Sequence, residues 1–409
     1  MNKLLFILLV SVLFLSACTA GEKQEGKDYS NATWEEIVSD AKGSTVRMFM
    51  WGGDEGINRY MDEVIATTLK EKYDITFERV PMDTKDILQK LLTEKKAGKE
   101  EGTMDIIWVN GENFKNAKMN DLLYGPFTSK LPNFNEFVNE KSLHIQYDFG
   151  TKTEGYEAPW GKVQFVFLYD EKKVPTPPTS FAELLEWAKQ NPGKFTYPEA
   201  DDFTGNAFLR HVLYNTVGVE SLLEHGFNEE YVHKQAGDMW SYLNELKPFL
   251  WREGETYPKD LTELDRLYSR GEVWMTMGYN EARAESLVQE GVFPKTTKSF
   301  IFESGSIGNT HFLAIPYNRP NVAGAMVAIN EMLSPEAQLA KYERAYWGES
   351  FALDLNKLHE DTRAQFEAVD RGASVLDAET LKKYMLPEVD ANYVNWIKET
   401  WYEKVVHEK

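Results

Sequence analysis

The sequence predicts an α/β fold, and the first third of the chain gives the main reason. Apolar segments of strand length alternate there with amphipathic segments of helix length, a pattern typical of a parallel sheet with crossover helices. The predicted strands cover 44–51, 74–80 and 104–113, and the predicted helices cover 57–73 and 85–98. With 409 residues, the chain is also long enough to form two lobes.

The residue spacing supports these assignments one by one. In the first helix the apolar residues recur every three or four positions; they are Ile57, Tyr60, Met61, Val64, Ile65 and Leu69. In the next strand Ile75 and Phe77 alternate with polar residues. Gly98 follows the second helix at the position of a C-cap glycine.

From residue 158 onwards the pattern changes. Residues 158–174 form a long strand-like stretch, which ends at the prolines of "PTPPTS". Ser180 and Glu183 form a capping box that predicts the start of a helix. The remaining prediction is a strand at 194–198, a helical block at 206–270, a strand within 271–282, two extended runs within 298–318 and helices from 321 onwards.

The N-terminus has the features of an export signal. One basic residue, Lys3, precedes a largely apolar run that is shorter than the roughly 20 residues of a membrane-spanning helix. The run leads to "LSAC", whose Cys18 is the only cysteine of the chain. "LSAC" resembles the bacterial lipobox, which implies that 1–17 is a lipoprotein signal peptide and that Cys18 carries a diacylglycerol. The alternative is an ordinary signal followed by a chance cysteine, and the polar stretch 18–31 is predicted to be a flexible tether.

Charge and motifs exclude several functions. The chain has 45 Lys and Arg against 65 Asp and Glu, a formal net charge of −20, which disfavours binding to nucleic acid and to anionic lipid. It contains no nucleophile-elbow, zincin or P-loop motif, and its histidines do not recur at metal-ligand spacing. We therefore expect no catalysis and no cofactor, and we assign no metal-ligating residues; ligands that converge in space from distant parts of the chain are the alternative.

Two segments resemble the lobe crossings of bacterial ABC-transporter solute-binding proteins. They are "VQFVFLYDEKKV" with the proline-rich segment and helix that follow it, and "NTHFLAIPYNRPNVAGAMVAINEMLSPEAQ". The resemblance implies a two-lobed periplasmic-binding-protein-like type II fold, in which each lobe is a mixed sheet with flanking helices and a hinge joins the lobes. It places lobe one at 32–165 with 304–355, lobe two at 166–303, the C-terminal helices at 356–409, and the hinge near 163–168 and 304–312.

Shorter segments resemble one branch of this family. "WGGDEGINRYMDEV", "DIIWVNGENFKN", "PWG" and "DDFTGNAFLRH" are similar to the YnjB-type branch. This similarity is specific for the class of protein, but it implies no particular solute.

The candidate ligand site lies in the polar loops that follow the predicted strands. In open α/β sheets the ligand binds beyond the carboxyl ends of the strands, where accessible backbone N–H groups, amides and aromatic faces can converge on it. The predicted ligand-binding residues are Trp51, Gly52, Gly53, Asn110, Glu112, Asn113, Trp160, Thr204, Asn206, Tyr279, Asn280 and Asn309.

Each of these loops also has a structural interpretation. "WGGDEG" is also typical of a helix entry, "NGEN" of a turn, and "DDFTGN" of a capped helix start. Half of the aromatic residues are equally suited to the core. Aromatic faces together with Glu112, Asp202 and Glu281 favour a cationic or nitrogen-heteroaromatic solute, whereas aromatic faces with amides suit a sugar about equally well.

The resemblance implies a lipid-anchored monomeric receptor on the extracytoplasmic face of the cell membrane. Such a receptor captures a small polar solute by hinge closure and passes it to an ABC permease with its ATPase subunit. The alternatives are a sugar receptor of the same class, a lipid-anchored exported enzyme such as a glycoside hydrolase with paired carboxylates, and a surface adhesin that binds no small molecule.

Overall fold

The computed structural model describes residues 29–407. The predicted signal peptide, Cys18 and most of the tether lie outside these residues. The described helices are α1 (Trp34–Ala41), α2 (Glu55–Arg59), α3 (Ala66–Tyr73), α4 (Thr84–Lys96), α5 (Glu112–Met119), α6 (Pro132–Phe137), α7 (Leu143–Gln146), α8 (Phe181–Gln190), α9 (Phe203–Val217), α10 (Val219–His225), α11 (Glu229–Gln235), α12 (Gly237–Leu246), α13 (Leu261–Ser269), α14 (Arg283–Gln289), α15 (Val322–Met332), α16 (Pro335–Tyr342), α17 (Glu360–Glu367), α18 (Ala378–Lys383) and α19 (Asn392–Trp401).

The described strands form one larger and one smaller sheet, together with a short hairpin. They are β1 (Thr45–Met50), β2 (Thr76–Pro81), β3 (Ile106–Val109), β4 (Leu123–Tyr124), β5 (Tyr147–Asp148), β6 (Thr151–Lys152), β7 (Glu157–Gln164), β8 (Val166–Asp170), β9 (Met275–Gly278), β10 (Thr297–Phe300), β11 (Ser306–Pro316), β12 (Ser350–Phe351) and β13 (Met385–Leu386). The hairpin consists of β5 and β6.

The larger sheet is mixed, with the strand order β12-β7-β11-β3-β1-β2. Strand β1 pairs in parallel with β2 and β3, as the alternation of strands and helices predicts. Strand β11 then pairs antiparallel with both β3 and β7. Because β11 lies beside β3, the segment near residue 310 is brought next to the loop that starts at Asn110.

The smaller sheet has the order β10-β8-β9, and both of its pairings are antiparallel. The chain passes from the larger to the smaller sheet between β7 and β8, and it returns between β10 and β11. The Phe165 N–H donates to the Ile307 carbonyl over 2.9 Å, so the two passages are hydrogen-bonded to each other. The single strand-like stretch predicted at 158–174 is therefore two strands in two sheets.

The predicted helix caps form, with one change in detail. Ser180 accepts a hydrogen bond from the Glu183 N–H, and Glu183 reaches back to the Thr179 N–H instead of the Ser180 N–H. Asp54 caps α2 by accepting from the Ile57 N–H. The predicted helix at 57–73 forms as α2 and α3, joined by the π-helical segment Tyr60–Ile65.

The predicted strand at 194–198 is wrong. In this segment the Lys194 carbonyl accepts from the Trp274 N–H over 2.9 Å, and the Phe195 carbonyl accepts from the Trp251 N–H over 2.8 Å. Successive residues bond to different segments, so no ladder forms. The side chains of Phe195 and Tyr197 are fully buried, which explains why the sequence there has a strand-like composition.

The C-terminal helix packs on the side of the smaller sheet. Tyr393, Trp396, Ile397 and Trp401 of α19 belong to the same hydrophobic core as Phe167 of β8. The indole N–H of Trp401 donates to the hydroxyl of Tyr197 over 3.2 Å. The apolar face of this amphipathic helix is therefore covered by the core around the smaller sheet.

His211 of α9 links this core to the return passage. Its ring is buried, Nε2 accepts a hydrogen bond from the Ile307 N–H over 2.9 Å, and Nδ1 donates to the Ala207 carbonyl over 2.6 Å. Burial lowers the pKa of His211 to about 3. The folded protein therefore holds the neutral imidazole, because a second proton would remove the acceptor for Ile307.

This contact predicts a loss of stability in acid. As the pH falls through about 6.5, the unfolded chain binds a proton at His211 and the folded chain does not, so folding becomes less favourable. We expect His211 to contribute a decrease of about 2 kcal/mol in the free energy of unfolding between pH 7 and pH 5. His211→Gln keeps an acceptor for Ile307 without a titrating ring, so denaturant unfolding of this variant should show a smaller decrease. Equal pH dependence in both proteins would contradict this assignment.

Candidate functional site

A hydrogen-bonded network lies where the two sheets meet. We call Asn110, Asn309, Glu388, Tyr279 and Arg210 the central network. The Asn110 side-chain amide donates to Asn309 Oδ1 over 2.9 Å, and Asn309 Nδ2 donates to Glu388 Oε1 over 3.4 Å. The Tyr279 hydroxyl donates to the same oxygen of Glu388 over 3.0 Å, and Arg210 pairs with the other oxygen. Residues from both sheets thus converge on one carboxylate.

The guanidinium of Arg210 is fully enclosed. The side chain is 1% exposed, its Nε donates to Asn206 Oδ1 over 3.1 Å, and its Nη2 donates to the Tyr279 hydroxyl over 3.3 Å. The ring of Phe149 lies 5.0 Å from the guanidinium carbon. Burial alone would lower the pKa of Arg210, but the negative charge of Glu388 raises it above its ordinary value.

The position of Glu388 is determined by the segment after β13. The hydroxyl of Tyr214 donates to the Pro387 carbonyl over 3.1 Å and accepts from the Val389 N–H over 3.0 Å, so it holds the backbone on both sides of Glu388. Strand β13 pairs with the start of β11. Burial raises the pKa of Glu388, and Arg210 opposes this effect.

The predicted residues at the start of α9 have structural partners. Asp202 Oδ1 accepts from the N–H groups of Thr204 and Gly205, both over 2.9 Å, which is the helix-cap interpretation of this segment. Burial raises the pKa of Asp202 to about 6. Asn206 Nδ2 donates to the Ala200 carbonyl, and its Oδ1 orients Arg210. Thr204 and Asn206 are both buried, and Asn206 reaches the central network through Arg210.

The "NGEN" loop is connected to the C-terminal segment. Glu112 is ion-paired with Lys398 of α19, with 2.5 Å between Oε1 and Nζ. Lys115 pairs with Asp390 over 3.2 Å. Beneath the loop, Asp148 Oδ2 accepts from the Gly111 N–H over 2.5 Å. Asn113, the next residue, is half-buried.

Trp160 lies in an aromatic cluster instead of on a surface. Its side chain has no exposed area, and its ring centroid lies 5.1 Å from that of Trp108 and 4.8 Å from that of Trp347. The ring of His311 lies 4.8 Å from Trp108. Trp160 therefore presents no exposed ring face to a ligand in this structure, although the sequence predicts a ligand contact there.

A buried ion pair underlies this cluster. Lys341 Nζ donates to the Trp160 carbonyl over 2.6 Å and lies 3.4 Å from Glu349 Oε2, and both side chains are fully buried. The ammonium lies 5.3 Å from the centroid of the Trp347 ring. Burial lowers the pKa of Lys341, and Glu349 opposes this effect.

Asn280 and Glu281 hold the passage between the sheets. Glu281 Oε2 accepts from the Gln164 N–H over 3.2 Å, and Oε1 accepts from the Ser350 hydroxyl over 2.7 Å. Asn280 has a positive φ of 69°, and its amide donates to the Trp347 carbonyl over 3.3 Å. Both side chains are buried. The carboxylate of Glu281 is therefore occupied by the chain itself.

Two exposed aromatic side chains mark the open part of the site. Trp51 is 36% exposed and Phe203 is 40% exposed, and the ring of Phe203 lies 5.1 Å from that of Tyr279. A Cβ atom at Gly53 would lie 2.4 Å from the Trp51 ring, so this glycine allows the ring to lie over the backbone. The carbonyl of Gly52 accepts from Asn58 Nδ2 over 3.0 Å.

Three carboxylates, those of Asp54, Glu55 and Glu290, lie near one another. Partial burial and the negative charges of Asp54 and Glu55 raise the pKa of Glu290, which follows α14. Asp54 also lies within electrostatic range of Asp265 and Arg283. Asp54 caps α2, which follows β1 of the larger sheet, whereas Asp265 and Arg283 lie on α13 and α14 beside the smaller sheet. The start of α2 therefore faces these two helices.

Arg283 is the second arginine of the site, and its side chain is 15% exposed. Its Nη2 pairs with Asp265 Oδ2, and Asp265 Oδ1 accepts from the Thr276 hydroxyl over 2.9 Å. Its Nη1 is buried without a hydrogen-bond partner. The charge of Arg283 is therefore balanced within the chain, while one of its donors is unused.

Residues 29–407 contain no group of three metal-ligating side chains that could hold an ion. The same part of the chain has no helix with the length and hydropathy required to cross a membrane.

Comparison with known proteins identifies the family. Residues 64–350 match the family described as bacterial extracellular solute-binding protein. Protein YnjB of Escherichia coli (strain K12) is 36% identical over 373 residues, which cover 91% of this chain and 93% of YnjB. The chain belongs to the bacterial extracellular solute-binding proteins. The predicted resemblance to the YnjB-type branch is thereby confirmed.

Solved structures confirm the predicted two-lobed type II fold of this solute-binding protein. An ABC transporter protein from Clostridium perfringens ATCC 13124 has a TM-score of 0.59 at 18% identity, covering 88% of this chain and 98% of its own. The periplasmic binding protein AfuA from Actinobacillus pleuropneumoniae has a TM-score of 0.62 at 12% identity, covering 89% and 99%. A spermidine/putrescine substrate-binding protein from Streptococcus pneumoniae has a TM-score of 0.60 at 17% identity, covering 88% and 98%.

Family membership gives the general function. The protein is an extracellular solute-binding protein, whose ligand is a solute.

Sequence reasoning missed two residues of its central network. Arg210 lies four residues after Asn206 in the segment "DDFTGNAFLRH". This spacing places both polar side chains on one face of an otherwise apolar helix, and that pattern was a signal for Arg210 in the sequence. Glu388 follows none of the strands predicted from the sequence and had no such signal.

The buried ion pair of this solute-binding protein predicts a stability difference. Glu349→Gln leaves the ammonium of Lys341 buried without its counter-charge, so we expect a decrease of about 3 kcal/mol in the free energy of unfolding. The matched control is Glu112→Gln, whose ion pair is partly exposed and should contribute no more than about 1 kcal/mol. Urea unfolding of both variants measures the difference. Equal decreases in the free energy of unfolding would show that the Lys341–Glu349 pair contributes no more to stability than the partly exposed pair.

Proposed function

We propose that this protein captures a small organic cation between its two lobes and delivers it to an ABC permease with its ATPase subunit. Lobe one comprises 32–165 with 304–355, lobe two comprises 166–303, and the hinge lies at 163–168 and 304–312. The proposal rests mainly on one observation: Arg210 and Arg283 are ion-paired with the chain's own carboxylates, whereas no ion pair within residues 29–407 joins Asp54, Glu55 or Glu290.

The balance of charge favours a cation. Arg210 is paired with Glu388, and Arg283 is paired with Asp265. Glu55 and Glu290 are exposed, and Asp54 is half-buried. Bringing the start of α2 towards Glu290 gathers negative charge, and a cation placed between these carboxylates lowers the repulsion.

The exposed aromatic rings supply the second element of recognition. A cation over the face of an indole is attracted by the ring quadrupole, by about 0.5–2 kcal/mol depending on desolvation. Trp51 and Phe203 present such faces at the open part of the site. The unpartnered Nη1 of Arg283 can donate to an acceptor atom of the same solute, which suits a nitrogen heterocycle or a polar cation.

Closure of the lobes follows from the position of these groups. Trp51, Asn110, Glu112 and Asn113 belong to lobe one, and Thr204, Asn206, Tyr279 and Asn280 belong to lobe two. A solute that contacts both sets favours the closed arrangement by its differential affinity for it, through the hinge motion typical of periplasmic binding proteins. Gly52, Gly53 and Asn309 complete the contacting set, while Trp160 supports it.

The N-terminus adds the anchor. We propose that removal of 1–17 and acylation of Cys18 attach a monomeric receptor to the extracytoplasmic face of the cell membrane. Residues 18–31 then act as the tether. The protein contacts the membrane only through this lipid, since its formal net charge of −20 disfavours direct contact with anionic lipid.

The cation proposal is tested on the soluble chain that starts after Cys18. Native mass spectrometry of freshly purified protein should release a nitrogen-containing cation, and calorimetry with putrescine, choline and 1-methylpyridinium should show saturable 1:1 binding for at least one probe. Trp51→Ala should weaken that binding at least tenfold, about 1.4 kcal/mol. Leu223→Ala, which removes another exposed apolar side chain (47% exposed), is the control and should bind as the parent does. Saturable binding of a sugar, or product formation from a glycoside, would contradict the proposal.

A second variant pair tests the assignment of residues to the two lobes. Asn113→Ala and Asn206→Ala remove one amide from each side of the cleft, and Asn206 also orients Arg210. We expect the combined variant to bind the released solute at least tenfold more weakly than the parent, about 1.4 kcal/mol. Circular dichroism monitors folding in parallel. Unchanged affinity in the folded double variant would refute this map of the site.

A further inference from the structure

We infer that Glu388 occupies an anion site built around Arg210, and that this carboxylate makes the cleft reject anionic solutes. The inference deepens the proposed function, because it names the residue that determines the charge of the accepted solute. Only the consequence for selectivity depends on the proposed function. The site itself follows from contacts between described residues.

Three donors converge on the carboxylate of Glu388. They are Arg210 Nη1, the Tyr279 hydroxyl and Asn309 Nδ2. A guanidinium, a hydroxyl and an amide that point at one pair of oxygens are the groups with which proteins bind the carboxylate or phosphate of a ligand. In this protein the chain supplies the anion itself.

The donors belong to different parts of the fold. Asn309 lies on β11 of the larger sheet, whereas Arg210 and Tyr279 lie on α9 and after β9, beside the smaller sheet. A ligand that closes two lobes makes the same kind of bridge. Glu388 therefore takes the position that an anionic solute would take between the lobes.

The carboxylate comes from outside both sheets. It lies on the segment after β13, and the hydroxyl of Tyr214 holds its neighbours Pro387 and Val389. Its side chain is 8% exposed. The segment thus presents one acid to this set of donors, and the ring of Phe149 lies 5.0 Å from the guanidinium carbon.

The consequence for selectivity is electrostatic. With Glu388 in place, the charge of Arg210 is balanced, and a second anion would have to displace a fixed carboxylate or lie beside it. Without Glu388, Arg210 is an enclosed and uncompensated cation. The same cleft would then attract a carboxylate and repel the cation that the complete protein accepts.

Chemical rescue tests the site independently of the natural solute. Glu388→Ala removes the carboxylate and leaves space beside Arg210. The thermal unfolding midpoint of this variant should rise with the concentration of sodium acetate relative to sodium chloride at equal ionic strength, since a ligand that binds only the folded state stabilises it. The parent protein should show no such difference between acetate and chloride.

Two further variants serve as controls. Asp390→Ala removes another acid of the same segment, one that pairs with Lys115 instead of Arg210, and it should respond as the parent does. Arg210→Met combined with Glu388→Ala should lose the response to acetate. The inference is overturned if acetate stabilises the parent and Glu388→Ala equally, or if the response persists without Arg210.

Glu388→Gln supplies a second route if the alanine variant does not fold. It keeps an acceptor for Tyr279 and removes only the charge. Calorimetry with succinate and inorganic phosphate should show at least tenfold tighter binding to Glu388→Gln than to the parent. If neither anion binds Glu388→Gln more tightly than the parent, the inference is overturned. If an anion does bind the variant more tightly but the parent binds no cation, the anion site is established and only the proposed class of solute is refuted.

Discussion

The antiparallel pairing of β7 with β11 is the constraint on which the rest of the structure depends. Both strands leave the larger sheet towards the smaller one, and the Phe165 N–H bonds to the Ile307 carbonyl between the sheets. The ladder is irregular between His311 and Phe312. It fixes the distance between the two passages, and it places Asn309 on the strand next to the loop that begins at Asn110.

Most contacts of the site follow from this ladder. Asn309 reaches Asn110 on one side and Glu388 on the other, while Glu281 accepts from the backbone of Gln164 at the end of β7. His211 adds a bond from α9 to the start of β11. The polar groups of the central network and those that hold the passages between the sheets are therefore neighbours on the same two strands.

Local signals explain which parts of the fold could be predicted from the sequence. The alternation of strands and helices over residues 44–113, the cap at Ser180 and the two crossing segments each depend on residues close together along the chain. The segment at 194–198 has the same apolar composition as a strand, but its backbone bonds go to Trp274 and Trp251. A single sequence gives no signal for such pairing across the fold.

The candidate site, too, could be predicted only where its signals are local in the sequence. The loops after β1, β3 and β9 were predicted as polar loops of the cleft, because strand ends are visible in the sequence. Which of their side chains are occupied by the chain itself depends on distant partners: Lys398 for Glu112, Ser350 for Glu281, and Trp347 for Asn280. The burial of Trp160 depends on Trp108 and Trp347 in the same way.

The C-terminal segment forms a third connection between the regions around the two sheets. The apolar face of α19 is part of the core beside the smaller sheet, whereas Lys398 and Asp390 pair with Glu112 and Lys115 of α5 beside the larger sheet. Two peptide passages alone would leave the two sheets free to move about a single axis. A helix that packs beside one sheet and is ion-paired to a helix beside the other opposes that movement, because separation would break these partly exposed ion pairs. Since salt screens partly exposed charges, a higher ionic strength weakens this connection.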